Sequence, residues 1–254
     1  MMPAQYFKRI ALLILFCLPL LANGQDNTWR LFPTVGVDMG GALPFPLSDI
    51  PEGSKGTPRI NPSLGLGFEY RFKGKWSLGT DISYHFLAYT ATADVISQPF
   101  YFNNHQDILY FSGHTSTDVE LRMVDFPVLV MYNPGPNWSL IVGAYYARIM
   151  DGKFITSGTD GVLSPDKAIT DTTTLPGPAN VTYNFNDYID KWDAGVLIGY
   201  RYNLNHRIFF WTRFQLGFKS IFVKEFDFID YELYQLRLNV GVAFVLFPGK
   251  VSKT

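Results

Sequence analysis

The end of the chain alternates strictly between apolar residues and other residues. Residues 234–247 read YQLRLNVGVAFVLF. One row of this stretch is apolar throughout: Leu236, Leu238, Val240, Val242, Phe244 and Leu246. The other row is polar, charged or small until two apolar residues close it: Gln235, Arg237, Asn239, Gly241, Ala243, Val245 and Phe247. Because successive side chains of a strand point to opposite faces, this pattern predicts a β-strand with one apolar face.

Seven earlier segments share the two-residue period: residues 30–40, 60–72, 76–89, 118–132, 138–150, 192–203 and 207–219. In the fourth of them the period breaks around Asp125-Phe126-Pro127. Proline cannot donate to a strand ladder, so we expect a β-bulge at that point. The sequence therefore predicts eight strands.

The connections between these segments alternate in length. Four are long, at residues 41–59, 90–117, 151–191 and 220–233, and three are short, at 73–75, 133–137 and 204–206. Outer-membrane barrels have short periplasmic turns and long outer loops, and a tilted strand crosses the bilayer in about 9 to 11 residues. Trp and Tyr gather at the short-turn ends, as in an interfacial aromatic girdle. We therefore predict an all-β fold, an eight-stranded antiparallel up-and-down transmembrane β-barrel.

The first 24 residues have the features of a cleaved signal peptide. Lys8 and Arg9 precede an apolar core at residues 10–21, and small residues follow at positions 22–24. This pattern predicts export, a barrel over residues 25–247 and a short periplasmic tail at 248–254. Cys17, the only cysteine, lies in the segment to be removed, so the mature barrel has no thiol or disulfide chemistry.

Composition narrows the function further. The chain has 21 basic and 22 acidic residues, which gives no electrostatic argument for binding nucleic acid. The pattern of His, Cys and carboxylates shows no metal-ligand spacing, and the glycines lie inside predicted strands instead of in a phosphate-binding loop. We therefore expect no metal and no cofactor.

Three features carry a resemblance to a known family. They are the export signal ending Asn23-Gly24-Gln25, the segment VDFPVLVMY at residues 124–132, and the final strand. In these the chain resembles the eight-stranded outer-membrane β-barrels of Gram-negative bacteria, particularly the PorT-like group. The last strand also resembles their assembly signal, with Asn239, Gly241, Phe244 and Leu246 in its places. The resemblance implies an outer-membrane location, contact with outer-membrane lipid, and recognition by the barrel-assembly machinery, but no defined activity.

Charged residues on the predicted inner faces need partners. Eight strands enclose an interior that side chains fill, and buried charges are tolerated when they are paired. We therefore predict an interior polar plug formed by acidic and basic residues: Asp38, Glu69, Asp81, Glu120, Asp193, Arg71, Arg122, Arg201, Arg213 and Arg237. Such a plug leaves no aqueous channel. A proton or ion path through the same residues is the competing interpretation.

The same sequence is compatible with an enzyme or with a soluble barrel. Residues 112–118, reading SGHTSTD, contain the residue types of a nucleophile, a base and an acid, as an outer-rim enzyme acting on lipid or peptide would need. Ser, Thr, Gly and Asp are also ordinary loop residues. A soluble calycin-like barrel would hold an apolar ligand and turn its apolar faces inward.

One stretch of the second long connection predicts an outer contact site. Residues 99–112 read PFYFNNHQDILYFS, with two aromatic runs around a turn-forming centre, which predicts a hairpin. Strands three and four would then continue beyond the bilayer as a ribbon. The candidate contact residues are Phe100, Tyr101, Phe102, Tyr110 and Phe111. We therefore expect a non-enzymatic protein with a structural or surface-recognition role, and an accessory role in a secretion or surface complex.

Overall fold

The structure is a computed structural model that describes residues 28–46, 50, 53–72, 74–102, 107–164, 179–226 and 231–246. The predicted signal peptide, its cleavage site and the tail at 248–254 lie outside these residues. The strands are β1 (Thr28–Phe45), β2 (Lys55–Pro58), β3 (Asn61–Arg71), β4 (Trp76–Phe102), β5 (Asp107–Tyr132), β6 (Trp138–Ser164), β7 (Ala179–Asn184), β8 (Trp192–Asn203), β9 (Ile208–Ser220) and β10 (Glu232–Phe244). A single 3₁₀ turn, Asn186–Tyr188, lies between β7 and β8.

Eight of these strands form a closed ring. Its order is β1, β3, β4, β5, β6, β8, β9 and β10, and every neighbouring pair is antiparallel. The ring closes where β1 pairs with β10, from Thr34 opposite Ala243 to Phe45 opposite Glu232. The predicted eight-stranded up-and-down barrel is confirmed. Among the residues described, no helix has the length and apolar character that a membrane-spanning helix requires.

The two faces of the wall differ as the period predicts. Outward side chains are apolar and exposed, as at Leu64, Ile82 and Val128, while inward side chains alternate with them and are buried. A soluble calycin-like barrel needs the opposite arrangement, so that interpretation is wrong. Aromatic rings meet on the outside at the short-turn end, with Trp76 on Tyr132 at 5.0 Å and Trp138 on Tyr200 at 4.8 Å between ring centroids. They form the girdle expected at a membrane interface.

Three strands of the ring extend well past the other five at the long-loop end. β4, β5 and β6 have 27, 26 and 27 residues, and their pairing runs out to Phe102 opposite Asp107. The predicted ribbon of strands three and four is therefore present in the backbone; its central residues 103–106 lie outside the described ranges. β2 pairs with β4, and β7 pairs with β6. The prediction that residues 151–191 form a loop was wrong for its first part, because β6 extends through Ser164 by pairing with the long β5.

The predicted bulge lies elsewhere. The register of β4 against β5 is the same on both sides of Pro127, with Thr80 opposite Val128 and Ser83 opposite Asp125. The register of β5 shifts instead against β6, where Arg122 faces Asp151 but Met123 faces Ile149. The extra residue therefore belongs to β6. Thr80 donates its hydroxyl to the Pro127 carbonyl at 2.7 Å, which gives the two strands a side-chain contact at the proline.

Candidate functional site: a filled lumen below an outer cavity

The lumen at the short-turn end holds a buried ion pair across the barrel. Arg201 of β8 donates to both carboxylate oxygens of Glu69 on β3, at 2.6 and 3.2 Å. The same guanidinium donates to the hydroxyl of Ser139 at 2.9 Å and to the Asn133 side-chain carbonyl at 3.2 Å. Both charged side chains are at most 2% exposed. Such a two-point contact fixes the guanidinium and offsets the cost of taking both charges out of water.

A second ion pair lies in the adjoining part of the lumen. Arg213 of β9 donates to Asp81 of β4 at 2.6 Å, and its guanidinium carbon is 4.6 Å from the ring centroid of Trp211. Ser83 donates to the other carboxylate oxygen of Asp81. A void of about 10 Å³ beside these residues has room for about one water molecule. Among the residues described, this part of the lumen is therefore filled and contains no channel.

The mid-lumen holds a connected set of charges. Arg237 of β10 donates to Asp125 of β5 at 2.8 Å, and Nε2 of His85 lies 3.7 Å from the same carboxylate oxygen. Nδ1 of His85 lies 2.6 Å from Asp38 of β1. Asn239 completes the set by donating to Asp38 at 2.6 Å. His85 on β4 thus contacts acids of both β1 and β5. Arg237 and Asn239 on β10 contact the same two acids, and β5 lies on the opposite side of the ring from β10.

An apolar layer separates this set from the loop end. Tyr145 donates to Asp193 at 2.7 Å at the edge of the polar region. The buried side chains beyond it form one apolar cluster that includes Leu87, Val119, Leu121, Met123, Ile149, Phe154, Ile221 and Phe222. Charges are costly in such surroundings. The layer therefore isolates the buried charges from the outside and gives no support to a proton or ion path.

Two members of the predicted plug lie elsewhere. Arg122 and Glu120 do not point into the lumen: Arg122 is exposed and lies 3.5 Å from Asp151, and Glu120 lies 4.0 Å from Arg59. The apolar layer occupies the inner face at their level, so these charges lie on the outer face. Arg71 lies on the same inward row of β3 as Glu69, at the short-turn end; it is half-buried, and its buried Nε has no partner among the described residues.

Sequence reasoning missed two buried residues: Asp125, which belongs to the mid-lumen set, and Tyr145, which lies at its edge. The sequence pattern assigns Asp125 to a broken period, although its place in the unchanged register puts it inside. Tyr145 has no predicted role, and it bonds Asp193. His85 is not among the predicted plug residues, and it lies between two aspartates, Asp38 and Asp125. The inward parity of each position was the signal that could have found them.

Above the apolar layer, the long strands enclose a cavity of about 310 Å³. Its walls come from β1, β2, β4, β5, β6, β7 and β10 and from the connections between them, and seven of its lining residues are aromatic: Tyr89, Phe154, Tyr183, Phe185, Phe222, Phe226 and Tyr231. Lys55, on the exposed strand β2, is the one charged residue among the described residues that line it. Burial raises the pKa of the Tyr183 and Tyr231 phenols, so both stay neutral at ordinary pH.

The candidate contact residues of the ribbon divide into two groups. Phe111 is fully buried, and a Cβ placed on Gly161 would lie 2.2 Å from its ring. The prediction that Phe111 forms an outer contact was therefore wrong, because glycines of β6 let its ring lie flat on the sheet. Tyr110 is half-buried. Phe100, Tyr101 and Phe102 lie in β4, and their side chains are outside the described part of the protein.

The candidate catalytic residues are not brought together. Nδ1 of His114 lies 2.9 Å from Asp94, and both side chains are exposed. The hydroxyl of Ser112 accepts a hydrogen bond from the backbone N–H of Ser97 at 2.9 Å, and Asp118 is bound by Arg59 at 2.6 Å. Within the described part of the chain, no three His, Cys, Asp or Glu side chains are grouped to hold a metal ion.

The assembly-signal residues lie on both faces of β10 and just beyond its end. Asn239 is buried in the lumen, whereas Phe244 and Leu246 are 43% and 46% exposed on the outer face. A sequence profile for the outer membrane protein beta-barrel domain matches residues 21–223. This chain belongs to that family. It is therefore an outer-membrane β-barrel protein.

Comparison with solved structures adds likenesses of fold only. The chain is similar to Ail, the attachment invasion locus protein of Yersinia pestis, solved with the heparin analogue sucrose octasulfate, at 8% identity and a TM-score of 0.40, covering 86% of this chain and 99% of that one. Neisserial surface protein A has 9% identity and a TM-score of 0.36, with 87% and 99% covered. OprG of Pseudomonas aeruginosa has 14% identity and a TM-score of 0.35, with 88% and 92% covered. The comparison with curated proteins gave no match.

Proposed function

We propose that this family member is a non-enzymatic surface-recognition protein of the PorT-like group, exported by a cleaved signal peptide and accessory to a surface or secretion complex. The observation that carries the proposal is the length of β4, β5 and β6. A tilted strand crosses the bilayer in about 9 to 11 residues, whereas these strands have 26 or 27. More than half of each strand is therefore available outside the membrane.

The charged residues on the outer wall also indicate that β4, β5 and β6 extend beyond the membrane. Arg59 donates to Thr90 at 2.8 Å and to Asp118 at 2.6 Å, and Arg122 lies near Asp151, all on the outer face. Charged groups facing lipid are costly, so the hydrocarbon layer must end below this level. The segments of β4, β5 and β6 beyond it form an ordered, water-facing sheet above a filled lumen. An ordered sheet of this kind can present a fixed surface to a partner.

The proposal does not include transport or catalysis. The lumen is filled by ion pairs and an apolar layer, and His114, Ser112 and Asp118 each have a different partner. The proposed contacts are outer-membrane lipid around the wall, the barrel-assembly machinery during biogenesis, and a protein partner at the outer sheet. Nucleic acid is not among them.

The test is cross-linking and pull-down from intact cells with a shortened ribbon. Replacing residues 100–109 with Asn-Gly joins Pro99 to Tyr110, which lie opposite each other, through a two-residue hairpin turn. The shortened chain should still fold, as judged by heat-modifiable migration, but lose a partner that the parent chain captures. Lys75→Ser, at the short-turn end, is the matched control and should keep that partner. Equal capture by the parent and the shortened chain contradicts the proposal.

A further inference from the structure

The outer cavity contains one buried polar group that has no hydrogen-bond partner among the residues described. Tyr89 of β4 is 5% exposed and lines the cavity, and its hydroxyl has no hydrogen-bond partner among the residues described. Its ring lies 3.6 Å from a Cβ built on Gly41 of β1, so it packs against β1. Buried tyrosine hydroxyls usually find a partner. A bound molecule in the cavity can supply one.

Three threonine hydroxyls of the cavity are already occupied. Thr115 donates to the Ala93 carbonyl at 2.9 Å, and the Thr117 and Thr156 hydroxyls bond each other at 2.9 Å. These hydroxyls are therefore less available to a bound molecule than the Tyr89 hydroxyl. The remaining surface is largely apolar, with Ser54, Lys55, Thr92 and Gln98 as its other polar residues, and no acidic residue of the described chain lines it. Such walls suit an apolar or aromatic body with a single hydrogen-bonding group.

We infer that the cavity is a binding site for a small, neutral, mainly apolar molecule whose one hydroxyl or carbonyl group bonds the Tyr89 hydroxyl. The volume of about 310 Å³ is at the small end of the range of ligand pockets, roughly 300 to 1,000 Å³. The apolar layer beneath closes the cavity toward the lumen, so the site is for binding and not for passage. This inference goes beyond the proposed function and does not depend on the ribbon.

The experiment measures binding of two matched probes to the full protein in lipid nanodiscs by ¹⁹F NMR. One probe is 4-(trifluoromethyl)benzyl alcohol, and the other is 4-(trifluoromethyl)toluene, which lacks the hydroxyl. Empty nanodiscs measure partition into lipid. We expect saturable binding of the alcohol beyond that partition. Tyr89→Phe should weaken the alcohol roughly threefold to tenfold and leave the toluene unchanged, since it removes one hydrogen bond.

A cavity-filling variant locates the site. Ala91 lines the cavity, and Ala91→Trp should abolish saturable binding of both probes. The matched control, Ile96→Trp, places the same side chain at a residue that is 87% exposed and should bind as the parent does. Heat-modifiable migration reports folding of each variant. The inference is overturned if the parent binds no more alcohol than empty nanodiscs, if Ala91→Trp binds normally, or if Tyr89→Phe affects both probes equally.

Discussion

Arg237 provides the sharpest test of the filled lumen. Its side chain is fully buried, and it donates to Asp125 at 2.8 Å, while Asp125 is itself 1% exposed. In Arg237→Met, the carboxylate keeps only weaker contacts: Gln215 donates at 3.4 Å, and Nε2 of His85 lies 3.7 Å away. The variant therefore leaves a buried charge with little compensation.

The expected cost follows from that arrangement. Removing one member of a buried ion pair lowers the free energy of unfolding by about 3–5 kcal/mol, because the remaining charge stays out of water. Replacing both members by apolar residues, as in Asp125→Leu with Arg237→Met, removes that charge. We expect the double variant to be clearly more stable than Arg237→Met alone. Arg122→Met is the matched control: its ion pair with Asp151 is exposed, so its loss should cost about 1 kcal/mol or less.

The measurement is urea-induced unfolding and refolding in lipid vesicles, followed by tryptophan emission and by heat-modifiable migration. Tryptophan emission reports burial of Trp211 together with the surroundings of the tryptophans on the outer wall, and heat-modifiable migration reports closure of the ring. The reasoning is refuted if Arg237→Met costs no more than Arg122→Met. It is also refuted if the double variant is as unstable as Arg237→Met.

Four further predictions concern the lumen, the orientation and the outer sheet. Purified protein in planar bilayers should give no steady porin-like current, and large stable open steps would contradict the filled lumen. With single cysteines, Ile96→Cys should react with a membrane-impermeant maleimide on intact cells and Lys75→Cys should not; the reverse result would invert the orientation. Gly161→Ala, whose Cβ would meet the Phe111 ring at 2.2 Å, should destabilise the outer sheet by about 1–3 kcal/mol in urea unfolding, whereas Gly56→Ala, with open space around it, should be neutral. Because burial raises the pKa of Tyr183 and Tyr231, their contribution to stability should be intact below about pH 10 and decline above it as the unfolded chain ionises first, which an alkaline series of urea titrations measures.

The period of two along the chain was enough to determine the eight barrel strands and their faces, but not β2, β7 or the extension of β6. Side-chain direction alternates with each residue, so the apolar outer row of β10 and the inward positions of Asp38, Glu69 and Asp81 follow from local sequence. The short turns follow equally from local composition. These properties depend on neighbouring residues and on no distant contact.

The position of each residue along the barrel axis depends on pairing between strands that are far apart in the sequence. Glu120 and Arg122 have the residue types of a plug, but they belong to the outward row of β5, and the pairing of β5 places them above the lipid. Phe111 is aromatic and near a turn, yet glycines on β6 bury it. Local sequence holds no information about that pairing.

The choice of partners was likewise decided by the closed barrel. Arg201 and Glu69 are 132 residues apart, and Arg237 and Asp125 are 112 apart. The alternating pattern by itself would allow any inward arginine to form an ion pair with any inward acidic residue. Closing the ring places particular levels of opposite strands face to face, and the narrow interior then allows one arrangement of pairs. The Tyr89 cavity arises in the same way, because its walls come from seven strands and their connections, which only the tertiary structure brings together.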